Sequence, residues 1–161
     1  MKNESSELRN ALGSFATGVC VVLVPSEKGE PDGMTINSFT SVSLSPPMVL
    51  WCINKTSRMC HHFEEQSEYS INVLTAEQQD LSRHYAKSGS ASLPSASSHI
   101  SFADDGTPFI QDSATTFFCR IVAKYDGGDH YILLSSVLDY QIGHADAPLV
   151  FHRGRYQSIA A

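Results

Sequence analysis

Several features are missing or scarce in the sequence, and each absence argues against a class of protein. No apolar run approaches the roughly 20 residues that a membrane-spanning helix needs. Basic residues are in the minority, with 11 Lys and Arg against 17 Asp and Glu and a formal net charge of -6. This balance argues against nucleic acid as the main partner, because phosphate binding normally requires a basic surface. Residues 1–15 contain no hydrophobic signal region, so we expect a cytoplasmic location.

Signatures of hydrolases and metal sites are also absent. No G-x-S-x-G elbow occurs, and no carboxylates are paired for glycoside chemistry. The four cysteines form no C-x-x-C pair: Cys20, Cys52, Cys60 and Cys119. We interpret them as reduced thiols that act as small hydrophobic side chains. The alternative is a zinc site at Cys60-His61-His62, but zinc requires clustered ligands, and we predict no metal.

The apolar pattern that is present predicts a single, mainly β domain of 161 residues. It indicates about seven strands, over 19–24, 33–45, 48–53, 69–74, 114–125, 131–140 and 149–156. Helices are predicted over 5–17, 59–66 and 75–86. Because short turns join most strands, we expect an antiparallel sheet closed into a small barrel with peripheral helices. A doubly wound parallel fold needs a glycine-rich first turn, which is missing.

The stretch 33–57 is the part of the chain that the rest is predicted to support. Its first half alternates with period 2, which predicts a strand with one apolar face. Four apolar side chains share that face: Met34, Ile36, Val42 and Leu44. The second run, 48–53, is apolar enough to be buried on both faces, and the polar group 54–57 resembles a helix cap.

Three groups of residues are candidates for binding or catalysis. The first comprises hydroxyls and an ammonium that, with main-chain amides of a strand edge, suit a phosphate or a polar heterocycle: Thr35, Ser38, Ser41, Ser57 and Lys55. The second is His130, which follows a tight turn at the start of a strand, where a histidine side chain is well placed to meet a ligand. The third is 151–156, with two arginines and an aromatic ring. In each case the alternative is an ordinary solvated surface.

Four motifs, in order and at plausible spacing, allow a family to be recognised. They are F-A-T-G-V at 15–19, G-M-T-I-N-S-F-T-S-V-S-L-S-P-P at 33–47, G-D-H at 128–130 and P-L-V-F-H-R-G-R-Y at 148–156. The chain resembles the short-chain flavin reductases that serve two-component flavin-dependent monooxygenases. The resemblance covers nearly the whole length.

The resemblance implies a fold, an assembly and a reaction. The fold is an antiparallel Greek-key split barrel of the FMN-binding type, and the assembly is a homodimer with flavin at the subunit interface. In the reaction, NADH or NADPH reduces FMN or FAD, and the reduced flavin passes to a separate monooxygenase. Two alternatives stay open: a non-catalytic flavin-binding protein of the same fold, and a flavoenzyme that acts on its own organic substrate.

The resemblance also implies which residues form the site. Those expected around the flavin are Met34, Thr35, Asn37, Ser38, Ser41, Cys52, Ile53, Asn54, Lys55, Ser57, Tyr85 and Ala86. Those expected to meet the nicotinamide nucleotide are His130, Arg153, Gly154, Arg155 and Tyr156. No side chain is expected to act as an acid or base, since hydride transfer between stacked rings depends on positioning. The serine-rich segment 87–105 replaces a motif that many relatives carry near the flavin phosphate.

Overall fold

A computed structural model describes residues 2–26, 30–65, 67–87, 98–143 and 147–159. The helices are α1 (Lys2–Leu12) and α2 (Gln79–Tyr85), with short 3-10 helices at Arg58–His62 and Ala76–Gln78. The strands are β1 (Thr17–Gly18), β2 (Cys20–Val24), β3 (Asp32–Ile36), β4 (Thr40–Leu44), β5 (Pro47–Asn54), β6 (Glu68–Val73), β7 (Ile100–Phe102), β8 (Pro108–Ile110), β9 (Thr115–Gly127), β10 (His130–Ile142), β11 (Val150–His152) and β12 (Arg155–Gln157). None of the described helices is long and apolar enough to cross a membrane.

One antiparallel sheet of seven strands, in the order β3-β2-β6-β9-β10-β5-β4, forms the body of the molecule. Its two edge strands, β3 and β4, follow each other in the chain through residues 37–39. The Ser38 hydroxyl ties this link to β5, because it accepts from the Cys52 N–H at 3.0 Å and donates to the Cys52 carbonyl at 3.2 Å. Asp32 is the first residue of β3, and its Oδ2 atom lies 3.4 Å from Nε2 of His62, at the end of the 3-10 helix that follows β5. These contacts bring the opposite edges together as the predicted barrel requires.

Two apolar clusters lie on opposite faces of β2. Val22 and its neighbours pack inside the barrel against the aromatic side chains of Trp51 and Tyr69. Val21 and Leu23 point outward and pack against α2 through Leu81. Both faces of β2 are therefore buried, which explains why this strand is a continuous β-branched and aliphatic run.

The barrel interior centres on the hydroxyl of Tyr69 in β6. The indole N–H of Trp51 in β5 donates to it at 2.9 Å, and the hydroxyl of Ser135 in β10 lies 2.6 Å from it. The rings of Trp51 and Tyr69 each make an edge-to-face contact with the ring of Phe63, and they are tilted against each other. All of these side chains are fully buried, so each polar atom depends on its partner.

A buried amide anchors the β7–β8 hairpin to the main sheet. Asn72 in β6 donates to the Val21 carbonyl at 3.0 Å and accepts from the Ile110 N–H of β8 at 2.8 Å. Its oxygen also accepts from the Thr116 hydroxyl at 3.1 Å. Neighbouring Ser70 donates to the Pro108 carbonyl at 2.6 Å. Side chains of β6 thus hold the hairpin in place by hydrogen bonds to its main-chain groups.

The cysteines are unpaired, as expected. Cys20 and Cys119 are buried in the barrel, and burial raises the pKa of both thiols to about 12. Cys52 and Cys60 are half-buried. Among the described residues, no group of three or more His, Cys, Asp or Glu side chains is arranged to hold a metal ion.

The first helix differs from its prediction in both extent and environment. It covers Lys2–Leu12 rather than 5–17, and the chain leaves it through a turn closed by the Gly13 N–H on the Arg9 carbonyl at 2.9 Å. Leu8 and Phe15, two apolar residues that recur at helical spacing in this segment, are exposed, Phe15 by 78%. Hydrophobic periodicity identifies an apolar face but not what covers it.

The stretch 33–57 forms the predicted strands, but two burial predictions for it are wrong. The register of β4 against β5 shifts at a bulge between Ser41 and Ser43, and Leu44, which lies opposite Pro47 at the end of the strand, is 95% exposed. Val42, also predicted on the apolar face, is exposed as well. β5 alternates between buried and half-buried residues instead of being buried on both faces, because the side opposite the barrel interior is only partly covered.

Three further segments differ from their predictions. The helix expected over 59–66 is a shorter 3-10 helix, because the chain leaves it at Phe63, which turns into the core. The described part of the predicted loop 87–105 contains β7, paired with the unpredicted β8; residues 88–97 lie outside the described residues. The last predicted strand is a hairpin, β11–β12, because Arg153 and Gly154 both adopt positive φ.

The Tyr69 hydroxyl yields a prediction about stability. Tyr69→Phe leaves the Trp51 indole N–H and the Ser135 hydroxyl unpaired in the core. We expect the free energy of unfolding to fall by about 1–3 kcal/mol, the usual cost of unsatisfied buried polar groups. Urea denaturation followed by tryptophan fluorescence measures it. The matched control is Tyr125→Phe, since Tyr125 is exposed; equal losses in both variants would contradict the role of Tyr69.

Candidate functional site

The predicted flavin-binding stretch supplies both edges of the main sheet. Among the described strands, β3 pairs only with β2, and β4 pairs only with β5. Each edge strand therefore carries a row of main-chain N–H and C=O groups without a strand partner. Such groups suit the flavin ring, whose rim presents both hydrogen-bond acceptors and an N–H donor. The residues of this stretch thus fit the ligand class that the sequence predicts.

Helix α2 connects β3 to the C-terminal hairpin. The Thr35 hydroxyl donates to the Ser82 carbonyl at 2.7 Å, and the Ser82 hydroxyl lies 2.7 Å from the hydroxyl of Tyr156. Thr35 was predicted at the flavin and Tyr156 at the nucleotide, so the helix brings one member of each group together. Ser82 itself was missed, because a buried serine in a short helix has no distinctive sequence signal.

Tyr85 packs directly over the start of β3. A Cβ atom on Gly33 would lie 2.6 Å from Leu23 Cδ2 and 2.8 Å from two ring carbons of Tyr85. Only glycine therefore permits this contact. Burial raises the pKa of the Tyr85 phenol to about 12, with a smaller effect of Glu30, so the phenol is neutral at physiological pH. Ala86, which follows, is exposed.

The other predicted flavin residues divide by where their side chains point. Met34 is half-buried and packs against the barrel core, and Ile53 is fully buried within it. These two residues can face a ligand only through their main chain. Asn37 and Ser41 are exposed. Cys52 is half-buried, and burial raises the pKa of its thiol, so it is not an activated nucleophile.

The polar group after β5 is organised largely by its own hydrogen bonds. The Asn54 side-chain oxygen accepts from the N–H and the hydroxyl of Thr56 at 2.8 and 2.6 Å. The Ser57 hydroxyl caps the following 3-10 helix by accepting from the Met59 N–H at 3.2 Å, as the sequence predicts. Lys55 extends from the same turn, and its ammonium lies 2.6 Å from the Asp126 carboxylate.

Register places His130 beside this turn. His130 begins β10 directly opposite Asn54 in β5, and the Lys55 N–H donates to the Asp129 carbonyl at 3.0 Å. The Nδ1 atom of His130 lies 2.7 Å from the Asp129 carboxylate. The turn that carries His130 and the turn that carries Lys55 therefore form one end of the barrel.

The remaining nucleotide-site candidates lie on the hairpin β11–β12. Arg153 and Gly154 occupy its turn with φ of 48° and 74°, and the Arg153 N–H donates to the Gly13 carbonyl at 2.8 Å. Arg153 and Arg155 are exposed and form no ion pair with any described residue. Within the described part of the chain, this hairpin shares no hydrogen bond or ion pair with His130. One subunit therefore presents the predicted nucleotide residues at two places.

The fold is that of a split-barrel protein whose two edge strands leave main-chain groups without a strand partner. Comparison with protein families then identifies the family. The model of the flavin reductase like domain matches residues 12–160. The chain belongs to this family, which confirms the resemblance.

Individual relatives agree with that assignment. The FMN reductase (NADH) SmoA of Agrobacterium fabrum is 42% identical over 153 residues, which are 94% of this chain and 84% of SmoA. The NADH:FAD oxidoreductase SgcE6 of Streptomyces globisporus, solved in complex with NAD and FAD fragments, superposes with a TM-score of 0.89 at 34% identity, covering 99% of this chain and 95% of that chain. BorF, the flavin reductase component of a bacterial two-component tryptophan halogenase, superposes with a TM-score of 0.88 at 32% identity. The match covers 98% of this chain and 99% of the BorF chain. The predicted fold class and flavin reductase activity are confirmed; the individual site residues stay predictions.

The contact between Gly33 and Tyr85 gives a prediction for the site. In Gly33→Ala the new methyl group must displace the Tyr85 ring or strand β3. We expect a loss of about 1–3 kcal/mol in stability from overpacking, and weaker flavin binding because the wall of the site moves. Thermal unfolding and flavin fluorescence titration measure the two effects. Gly18→Ala is the matched control, since a Cβ there has open space; normal flavin binding by Gly33→Ala would contradict the placement of Tyr85.

Proposed function

We propose that this protein is an NAD(P)H:flavin oxidoreductase, of EC 1.5.1 type, that reduces FMN or FAD and supplies the reduced flavin to a partner monooxygenase. The observation that carries the proposal is the register of β5 against β10. It places His130, one of the predicted nucleotide residues, opposite Asn54, one of the predicted flavin residues, at one end of a split barrel. Membership of the flavin reductase like family supports the same activity.

The residues divide the work between binding and orientation. Lys55 and Ser57 stand at the turn where a flavin phosphate can be bound by an ammonium and main-chain N–H groups. The unpaired edge of β3 offers N–H donors to the ring, and Tyr85 covers the far side. Flavin supplies the hydride acceptor, and the reduced nicotinamide supplies the hydride. Pre-positioned N–H donors stabilise the negative charge that reduction creates.

A coupled assay tests the proposal. The purified protein is mixed in air with FMN or FAD and with NADH or NADPH, and absorbance at 340 nm is followed. Steady oxidation that requires added flavin supports the proposal. Flavin binding without oxidation by either nucleotide would instead indicate a non-catalytic flavin-binding protein. Oxidation that also requires an organic substrate would indicate a self-contained flavoenzyme.

We propose NADH as the preferred hydride donor and leave FMN and FAD as alternative acceptors. SmoA and SgcE6 are both named as NADH enzymes, whereas one is named for FMN and the other for FAD. The four combinations in the assay above distinguish these cases directly. The cytoplasmic location expected from the sequence fits an enzyme that draws on NAD(P)H, and we retain it as part of the proposal.

His130 provides a prediction about kinetics. His130 is partly exposed at the mouth of the site and is oriented by the Asp129 carboxylate at 2.7 Å. If it contacts the nicotinamide nucleotide, His130→Ala should raise KM for that nucleotide by about two- to tenfold, the effect of one lost hydrogen bond. We expect kcat to change less, because no proton is transferred by this side chain. Steady-state kinetics at saturating flavin measures both.

Two further measurements complete the His130 test. His61→Ala is the matched control, since His61 is exposed and is not among the residues predicted to bind flavin or the nucleotide. KM for flavin should stay near the value of the unmodified enzyme in both variants. A loss of kcat in His130→Ala with unchanged KM would contradict the assigned role.

We also propose that the protein is a homodimer, as the sequence resemblance implies. Several large apolar side chains are exposed on β4 and on the end of β10: Val42, Leu44, Leu138, Tyr140 and Ile142. Ser136 lies opposite Met48, and Leu44 lies opposite Pro47, so the two strands present these side chains at the same end of the sheet. An exposed apolar surface of this kind is typical of a subunit interface.

Leu44 tests the dimer. Because Leu44 is 95% exposed in one subunit, Leu44→Lys should not disturb the fold of that subunit. If the side chain is buried between subunits, the substitution should raise the dimer Kd at least about tenfold, from the lost apolar burial alone. Sedimentation velocity across a dilution series measures it, with circular dichroism to confirm folding. An unchanged dimer would place the interface elsewhere.

A further inference from the structure

The ammonium of Lys55 is held by a carboxylate of its own chain. Its Nζ atom lies 2.6 Å from Oδ2 of Asp126, which lies near the end of β9, 71 residues further along the sequence. The Lys55 side chain is 29% exposed and that of Asp126 is 75% exposed, so this pair stands at the surface of the barrel end. Lys55 is also the cation that we assign to the flavin phosphate. One side chain therefore has two possible anionic partners.

Both members of the pair are fixed in position. The Gly128 N–H donates to Asp126 Oδ1 at 3.2 Å, and Gly128 allows this turn through its φ of 82°. The Lys55 main-chain N–H donates to the Asp129 carbonyl at 3.0 Å, and its Nζ lies 5.1 Å from the centroid of the Tyr131 ring. The turn therefore places the Asp126 carboxylate next to the ammonium.

Two other charged groups near this end of the barrel have partners of their own. Lys124 Nζ lies 4.5 Å from the centroid of the Tyr131 ring and is paired with Glu64 at 2.9 Å. The carboxylate of Asp129 is 2.7 Å from His130. Asp126 is thus the carboxylate in direct contact with Lys55, and its hydrogen bond raises the pKa of Lys55 while the pKa of Asp126 is lowered.

We propose that Asp126 sets the affinity for phosphate-bearing flavins by competing with the ligand phosphate for the Lys55 ammonium. The inference rests on the proposed function, which places a flavin phosphate at Lys55. Each binding event then requires Lys55 to exchange a carboxylate for a phosphate, and the released carboxylate stays close enough to repel it. Both effects weaken binding. Weak binding suits a flavin that must leave after reduction.

The test compares two flavins that differ only in the phosphate. The Kd values of FMN and riboflavin are measured by fluorescence titration, without nicotinamide nucleotide, for the unmodified protein and for Asp126→Asn. Asparagine keeps the shape of the side chain and the acceptor for the Gly128 N–H but removes the charge. We expect FMN to bind about two- to fivefold more tightly to the variant, the range for loss of one exposed ion pair. Riboflavin should bind equally to both proteins.

Two controls separate a local effect from a change in total charge. Asp112→Asn removes the same charge at an exposed turn residue whose φ of 56° asparagine tolerates, and it should leave both Kd values unchanged. In a Lys55→Met background, Asp126→Asn should no longer tighten FMN binding. The gain should also shrink at high salt, because the pair is exposed.

The possible failures are distinguishable. Equal changes for FMN and riboflavin, or no change for either, would overturn the role of Asp126 while leaving the proposed function intact. Persistence of the FMN gain after Lys55→Met would overturn the competition for that lysine. If the unmodified protein binds no flavin and oxidises no nicotinamide nucleotide, the proposed function fails and this inference fails with it.

Discussion

The buried hydroxyl of Tyr69 is the point on which the barrel depends, because three strands meet there. It joins Trp51 of β5 and Ser135 of β10 from its place on β6. A slip of one residue between β5 and β10 would turn Trp51 outward and break this contact. The same register sets His130 opposite Asn54 at the barrel end. The geometry of the site is therefore a consequence of satisfying one polar atom in the core.

Buried polar groups elsewhere place backbone in the same way. Asn72 holds the β7–β8 hairpin against the sheet through the Ile110 N–H, and Ser82 joins β3 to the C-terminal hairpin through Thr35 and Tyr156. In both cases a small side chain reaches main chain or a hydroxyl that is distant in sequence. Such a contact is stabilising mainly because the unpaired alternative is costly. It also fixes where a strand edge faces, which is what a flavin site built from main chain requires.

Much of this could be predicted from sequence where the signal is local. The continuous apolar run of β2 indicates a buried strand. Ser57 and Thr75 are polar residues of the type that caps helices, and each directly precedes a 3-10 helix in the structure. The predictions that were wrong concern features that depend on contacts between residues distant in the sequence. The bulge in β4 depends on pairing with β5, and the exposure of Leu44 and of α1 depends on what packs against them. Ser82 and Asp126 were missed for the same reason, since their partners are 47 or more residues away.

The distribution of charge around the proposed site favours release of a bound flavin over its retention. The chain carries a net charge of -6, yet its proposed ligands are anions. Lys55 and Lys124 are each paired with a carboxylate, whereas Arg153 and Arg155 have no ion-pair partner among the described residues. An anion arriving at the hairpin meets free guanidinium groups, but one arriving at Lys55 must displace Asp126. A diffusing flavin has to be released after each reduction. Because Asp126 can pair with Lys55 again when the phosphate leaves, this ion pair favours turnover over tight retention of the flavin.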